Sequence, residues 1–417
     1  MERGRAIGGW QVGRRGLGLA LGAALARPAL AQAPADLRLG AIFPLSGPLA
    51  LLGDESYRGL ELAVEERNAA GGVFGRPLRL LRADATDEAS GAAEARRLVG
   101  GNDRVAAIFG SFSTAVALAG SQVAEAAGVP WLELGAVGDQ LTERGFRWVF
   151  RVSPAAADYA ATAIEAVTEV LARAQGVAPT SLRLGIAHDE GPGGTSVGTA
   201  QEEMAKARGL TVVERVGYAP RPSDLGALVQ RLRGQDAEVL LHTGGPADEI
   251  LLFRALRDAG WRPRMVIGTG NGYGLTETAR SLGDAILGTM SADLTPFAVN
   301  ERFAPGARAF ADTYLRRYGA EPRSGHGLAA HVGAKLFLDA LQRAGGVEKD
   351  KLRAAILGLD VAEATTATGW GARFDERGQN QRAKPVLCQW QQGQHALRQV
   401  VIAPAAAAVA DAMPRLG

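Results

Sequence analysis

The stretch Leu39–Ala85, LGAIFPLSGPLALLGDESYRGLELAVEERNAAGGVFGRPLRLLRADA, decides the fold. Its apolar run Leu39–Phe43 reads as a buried strand, stopped by the turn-rich Pro44-Leu45-Ser46-Gly47-Pro48. Leu60, Leu62, Ala63, Val64 and Ala69 then recur nearer a 3.6-residue period than an alternation, which predicts a helix. Gly71-Gly72 ends that helix, and a second apolar run, Leu78–Leu81, leads to Asp84. The result is one strand–helix–strand unit whose strand-to-helix loop faces a potential ligand site.

Outward from this unit, bulk properties narrow the class. The chain has 417 residues, which suits two domains rather than one core. Its 47% hydrophobic and 22% charged content is that of a globular protein, and a formal net charge of +2 gives no argument for a nucleic-acid partner. With Cys388 the one cysteine, an internal disulfide and a cysteine metal cluster are both ruled out. The N-terminus reads as an export signal of residues 1–31. Arg3, Arg5, Arg14 and Arg15 are its basic start, Leu17–Ala26 its short apolar core, and Ala29-Leu30-Ala31 its cleavage pattern, cut after Ala31. Arg14-Arg15 reads equally as a twin-arginine signal or as an ordinary basic start. The apolar run is short of the roughly 20 residues that span a bilayer, and the absence of a cysteine at the cut excludes a lipid anchor there.

Beyond Asp84 the pattern keeps alternating. Strands are expected at Val105–Gly110, Val129–Leu134 and Phe146–Val152, with a helix at Ala115–Ala127 and a helix-prone turn at Gly138–Arg144. A long helix, Ala157–Ala174, precedes a second series of strands at Leu182–Ala187, Thr211–Val216, Val239–His242, Arg264–Ile267 and Gly288–Ala292. Helices follow at Pro305–Tyr318, Gly327–Arg343 and Lys349–Leu357, then strand-like Gly371–Phe374, Pro385–Trp390 and Leu397–Ile402. Strands alternating with helices imply parallel sheets built from right-handed crossovers. Two series imply an α/β protein of two Rossmann-like lobes joined by a hinge that the chain crosses more than once. The expected division is residues 37–155 plus 291–369 for lobe 1 and 156–290 plus 370–403 for lobe 2, with 404–417 a disordered tail. A cleft then lies between the carboxyl ends of both sheets.

Candidate chemistry is sparse. His326 and His331 lack the spacing and the glutamate of a zinc helix, so no metal is expected. The glycine-rich Gly268–Gly274 lacks G-x-G-x-x-G spacing, and Gly191–Ser196 lacks the Gly-Lys of a phosphate loop. Both read as loops lining a cleft. Gly110-Ser111-Phe112-Ser113-Thr114 ends a buried strand and opens a helix, where three hydroxyls and free amides suit a carboxylate. Glu133, inside an apolar run, needs a partner, and a ligand ammonium, Arg151 and solvent are all open. His188 and His242, each ending a strand, read either as cleft residues or as structural hydrogen-bonders. No G-x-S-x-G occurs, and nothing supports catalysis.

These residues resemble the periplasmic substrate-binding proteins of the branched-chain amino acid (leucine/isoleucine/valine) uptake family, the type I, hinge-and-two-lobe class. The signature is Phe43-Pro44-Leu45-Ser46-Gly47, Gly53, Gly59, Leu62-Ala63-Val64, Asn68-Ala69-Ala70-Gly71-Gly72-Val73, Gly75 and Asp84. It continues through Gly110–Thr114, Gly128-Val129-Pro130, Leu141-Thr142 and Val149-Phe150-Arg151, and the likeness runs from about Asp36 to His395. The resemblance implies a monomeric, non-enzymatic periplasmic protein without a cofactor. It would capture a small ligand, an amino acid or a related carboxylate or amide, between its lobes and deliver it to an ABC permease. A sensing module on the same fold is the alternative.

The family pattern places Ser113 and Thr114 on the α-carboxylate, with Ser111 and Phe112 in the same loop. It places Gly135, Ala136 and Val137 in the second contact loop, and Leu52 where leucine-type members commonly carry an aromatic. Lobe-2 contacts map to Gly193, Gly245, Asn271 and Tyr273. The tyrosine of the 189–194 loop is absent, and the acid that takes the ammonium falls near Gly270-Asn271. That leaves an amino acid and a carboxylate or neutral ligand both open.

Overall fold

The structure, a computed structural model, describes residues 35–394 and 396–416. The export-signal reading falls outside the described residues. No helix among the described residues is long and apolar enough to cross a membrane.

A first sheet holds β1 (Leu37–Phe43), β2 (Leu78–Asp84), β3 (Ile108–Gly110), β4 (Trp131–Glu133) and β5 (Val149–Arg151), in the order β2-β1-β3-β4-β5 and all parallel. Both faces are covered, so side chains alternate between two cores. Leu39, Ala41, Phe43, Phe109, Leu132 and Phe150 enter one core, beneath the helices Ala50–Ala69, Ala307–Tyr318 and Gly325–Ala344. Ile42, Ile108, Trp131 and Val149 enter the other, with Glu88–Val99 and Thr114–Ala127. Helices Ala50–Ala69 and Gly325–Ala344 approach closely where both carry glycine. A β-carbon at Gly59 would lie 2.0 Å from the Gly327 carbonyl oxygen.

The second sheet holds β6 (Arg183–Asp189), β7 (Thr211–Tyr218), β8 (Val239–Thr243), β9 (Met265–Thr269), β10 (Met290–Asp293), β11 (Val386–Gln392) and β12 (Leu397–Ala403). Their order is β12-β11-β10-β9-β8-β6-β7. Strands β6 to β10 run parallel, whereas β11 pairs antiparallel with both β10 and β12. The sheet is therefore mixed rather than wholly parallel. The short link between β11 and β12 allows only a hairpin.

The chain crosses between the sheets three times: after β5, after β10, and before β11. Two expected boundaries shift. Strand β10 sits in the second sheet, so the return to the first lobe begins after Asp293, not at 291. Residues 370–383 straddle the lobes rather than belonging to the second. Ala372 and Phe374 pack in the first core and Gln379 bridges to Arg151, while Trp370 and Ala383 pack in the second.

Other differences have local causes. Helix Glu88–Val99 has no expected counterpart. Its start is a capping box in which Asp87 accepts from the Ser90 amide at 2.8 Å and Ser90 Oγ accepts from the Asp87 amide. The expected single helix at 157–174 is Ala156–Glu165 continued by a π-turn, Ala166–Leu171, and Ala172–Gln175. The segment after Pro404, expected to be disordered, is packed. Met413 exchanges two hydrogen bonds with the Gln389 side chain, Ala407 is buried, and Leu416 lies against second-lobe cores. A buried glutamine with two backbone partners holds an otherwise alanine-rich strand of chain in place.

Candidate ligand-binding cleft

The ligand loops of the first lobe are built around two buried charges at neighbouring strand ends. Glu133 and Arg151 are register partners on β4 and β5. The amides of Ser111 (2.6 Å), Phe112 (3.3 Å), Gly135 (2.9 Å) and Ala136 (2.7 Å) donate to Glu133 Oε1. Trp131 Nε1–H donates to Oε2 at 2.9 Å. One carboxylate thus ties the 110–114 loop to the 135–137 loop. This is the many-donor arrangement that a buried carboxylate needs.

Arg151 grips the same segment from its carbonyls. Its Nη1 donates to Ala136 (3.2 Å) and Gly138 (2.7 Å), and its Nε to Gln379 Oε1 (2.5 Å). None of the three partners open for Glu133 in the sequence is the one found. Its partners are four backbone amides, for which no residue-type signal exists, and the Trp131 indole.

Each expected site residue has a definite place. Leu52 is fully buried in the first turn of Ala50–Ala69 and packs with Phe112 and with Leu275 from the second lobe. Phe112 carries φ 75° and sets its ring edge-on to His326, with centroids 5.3 Å apart. Ser113 caps helix Thr114–Ala127 by accepting from the Val116 amide. Thr114 Oγ1 accepts from the Gly138 amide at 3.1 Å. Ser111 is turned away from the cleft, because its hydroxyl donates to the Ser113 carbonyl at 2.8 Å and the residue is fully buried. Gly135 and Ala136 serve through the amides held by Glu133, and the Val137 carbonyl accepts from the Ala156 amide across the hinge at 2.7 Å.

In the second lobe, Gly193 lies in the first turn of Pro192–Ala207, against Thr114. A β-carbon there would be 3.0 Å from Thr114 Oγ1 and 3.6 Å from its Cβ. Asp139 and Ser196 add a bond nearer the hinge, where Ser196 Oγ donates to Asp139 Oδ2 at 3.2 Å. Gly245 caps Pro246–Asp258 beside Leu49 of the first lobe. Asn271 has φ 52° in the turn Asn271–Gly274.

Tyr273 does not line the cleft. Its ring is packed over Gly268 in the second-lobe core and its hydroxyl is 2.6 Å from His242 Nδ1. His242 Nε2 meets the Tyr218 hydroxyl at 2.9 Å, and burial pushes this imidazole down to about 3. His188 likewise is structural, held by the Asp189 carbonyl and by Arg215. His326 and His331 go to separate partners, Ser324 and Glu66.

The two walls carry opposite electrostatics. Where Thr114 meets Gly193, the N-termini of two helices face each other across the cleft. Each brings unpaired amides and the positive end of a dipole. Behind the second-lobe loops lie Asp189, Asp248, Glu249 and Asp293, and no ion pair reaches them among the described residues. Glu249 is fully buried. Its oxygens sit beside the Gly272 and Tyr273 amides without a hydrogen bond of ordinary geometry. A β-carbon at Gly272 would lie 2.5 Å from Glu249 Oε2. Burial, then the nearby Asp293 and Asp248, holds the Glu249 carboxyl well above its usual range, and burial pushes Asp293 up to about 7.

A family model described as periplasmic binding protein matches residues 36–394. The Leu/Ile/Val-binding protein homolog 8 of Brucella suis biovar 1 (strain 1330) is 42% identical over 395 residues, covering 94% of this chain and 97% of that protein. Homolog 7 of the same organism is 41% identical over 394 residues, with 94% and 98% covered. Among solved structures, the leucine binding protein LivK of Thermotoga maritima MSB8 aligns at TM-score 0.75 with 22% identity, over 88% of this chain and 98% of its own. LivJ of Streptococcus pneumoniae, in complex with isoleucine, aligns at TM-score 0.74 with 20% identity, over 88% and 100%. The two solved structures share the fold. The family match and the full-length relatives go further: this chain belongs to the periplasmic binding protein family, the two-lobed solute-binding proteins.

Proposed function

We propose that the protein captures a zwitterionic, amino-acid-like ligand with an apolar side chain and hands it to an ABC permease outside the cytoplasm. It does so as a monomer, without catalysis. The observation that carries this reading is the pairing of unlike walls. Two helix N-termini converge at Thr114 and Gly193, while an unpaired carboxyl, Glu249, lies behind the Gly270–Tyr273 loop. A carboxylate is stabilised at the first and an ammonium at the second. The acid absent at Gly270-Asn271 is thus supplied from the helix Pro246–Asp258. Leu49, Leu52, Phe112 and Leu275 form an apolar patch fit for a branched aliphatic group. The names of the Brucella relatives point to the same cargo class.

The test is calorimetric titration with L-leucine, L-isoleucine and L-valine beside 4-methylpentanoate and 3-methylbutylamine, which each lack one charge. At least one amino acid binds at micromolar Kd or better, and both analogues bind at least about 100-fold more weakly, as expected for a buried charge left without its partner. Equal binding of 4-methylpentanoate would overturn the zwitterion reading.

A further inference from the structure

Away from the ligand loops, one side chain joins the lobes beside the crossing that follows β10, where Gly325 abuts Leu294 and Thr295. Arg323 lies between the helices Ala307–Tyr318 and Gly325–Ala344 of the first lobe. On its own lobe its Nη1 is 3.2 Å from Asp54 Oδ2 and 3.6 Å from Glu55 Oε2, and its amide donates to Glu55 Oε1. Across the cleft its Nε is 3.1 Å from Glu277 Oε1, and its carbonyl accepts from the Thr276 amide at 3.1 Å. Glu277 is in the first turn of Thr276–Leu282, a second-lobe helix whose Ala279 is in that lobe's core. The residue before Thr276, Leu275, packs in one cluster with Leu52 and Phe112 of the first lobe.

We propose that Arg323 is a clasp: a positioning residue that sets ligand affinity by stabilising the closed form, without touching ligand. Three features support it. The Arg323–Glu277 pair joins residues of different lobes, so its energy favours the arrangement in which they are together. Asp54 and Glu55 hold the guanidinium in place beforehand, which lowers the ordering entropy of the pair. The side chains are only 25% and 32% exposed, and the adjacent Leu275 contact shields them.

The clasp presupposes that the lobes close as described, and disulfide trapping tests both without a ligand. The Thr114–Gly193 geometry, with β-carbons 3.6 Å apart, suits a disulfide. In the T114C/G193C protein, the rate of cross-linking under a fixed oxidant reads how often the lobes close. Glu277→Gln slows it about threefold and Glu277→Arg about tenfold, in keeping with a partly shielded pair lost and then reversed. Glu277→Asp, which keeps the charge opposite Arg323 and leaves Asp54 and Glu55 with their cation, returns the rate to within about twofold of the parent, a rescue by the conservative variant. Unchanged rates in Glu277→Gln and Glu277→Arg, or a Glu277→Asp protein as slow as Glu277→Gln, would overturn the clasp. No cross-linking in the parent would instead overturn the closure reading itself.

Discussion

Both lobes bury a glutamate behind their ligand loops, and they treat it oppositely. Glu133 receives four amides and an indole N–H. Glu249 receives no hydrogen bond of ordinary geometry and has two further carboxyls near it. Burial alone therefore does not tell what an acid does. The partners do: a fully bonded carboxylate is architecture, and one without such bonds keeps capacity for a further partner.

The largest expected effect breaks this contrast at its structural end. Glu133→Gln puts an NH2 or a weakened acceptor where five donors converge. Unfolding in urea shows a loss of about 3 kcal/mol or more, with ligand binding abolished because both first-lobe loops lose their tie. Glu249→Gln, at a site of equal burial, leaves stability within about 1 kcal/mol of the parent or raises it, since it removes a carboxyl that burial and neighbours disfavour. Similar losses in both variants would refute the contrast.

A smaller effect is read through pH. Asp293 and Glu55 are each pushed up to about 7, first by burial, and Glu249 well above its ordinary range. A carboxyl with a raised folded value holds its proton longer in the folded state than in the unfolded one. Its contribution is therefore present below pH 4 and is lost as pH rises toward 7. Each such group takes up to about 1.4 kcal/mol per pH unit from the free protein across that window, against the opposite slope of His242 and His326, which burial pushes down to about 3 and about 4. Melting temperatures between pH 4.5 and 7.5 check this, and Asp293→Asn flattens the slope. A slope that Asp293→Asn leaves unchanged would show that this acid does not hold its proton in that window.

The unevenness of the two lobes also marks what could be read in the sequence. The alternation of Leu39, Ala41 and Phe43 with the helix after it was enough for the two-lobed α/β architecture, since backbone period and burial are local signals. The loops were legible as loops. Their internal wiring was not, because Glu133 bonds to amides that every residue type carries, and Arg151 to carbonyls. Tyr273 shows the converse failure. Glycine-rich surroundings placed it in a cleft loop, yet Gly268 is what lets its ring sink into the core. Glu249, the acid proposed for the ligand's ammonium, escaped notice because it lies more than 20 positions from the Gly270–Tyr273 loop and meets it only through folding. Arg323 and Glu277 likewise become partners only when two distant segments converge in the fold.

The most direct measurement is the affinity of Glu249→Gln for L-leucine and for 4-methylpentanoate, by calorimetry beside the parent. If Glu249 is the partner of the ligand's ammonium, leucine loses at least about tenfold in affinity while the deaminated analogue, which has no such group, is unchanged within about twofold. Equal losses for both compounds, or none for either, would contradict the assignment.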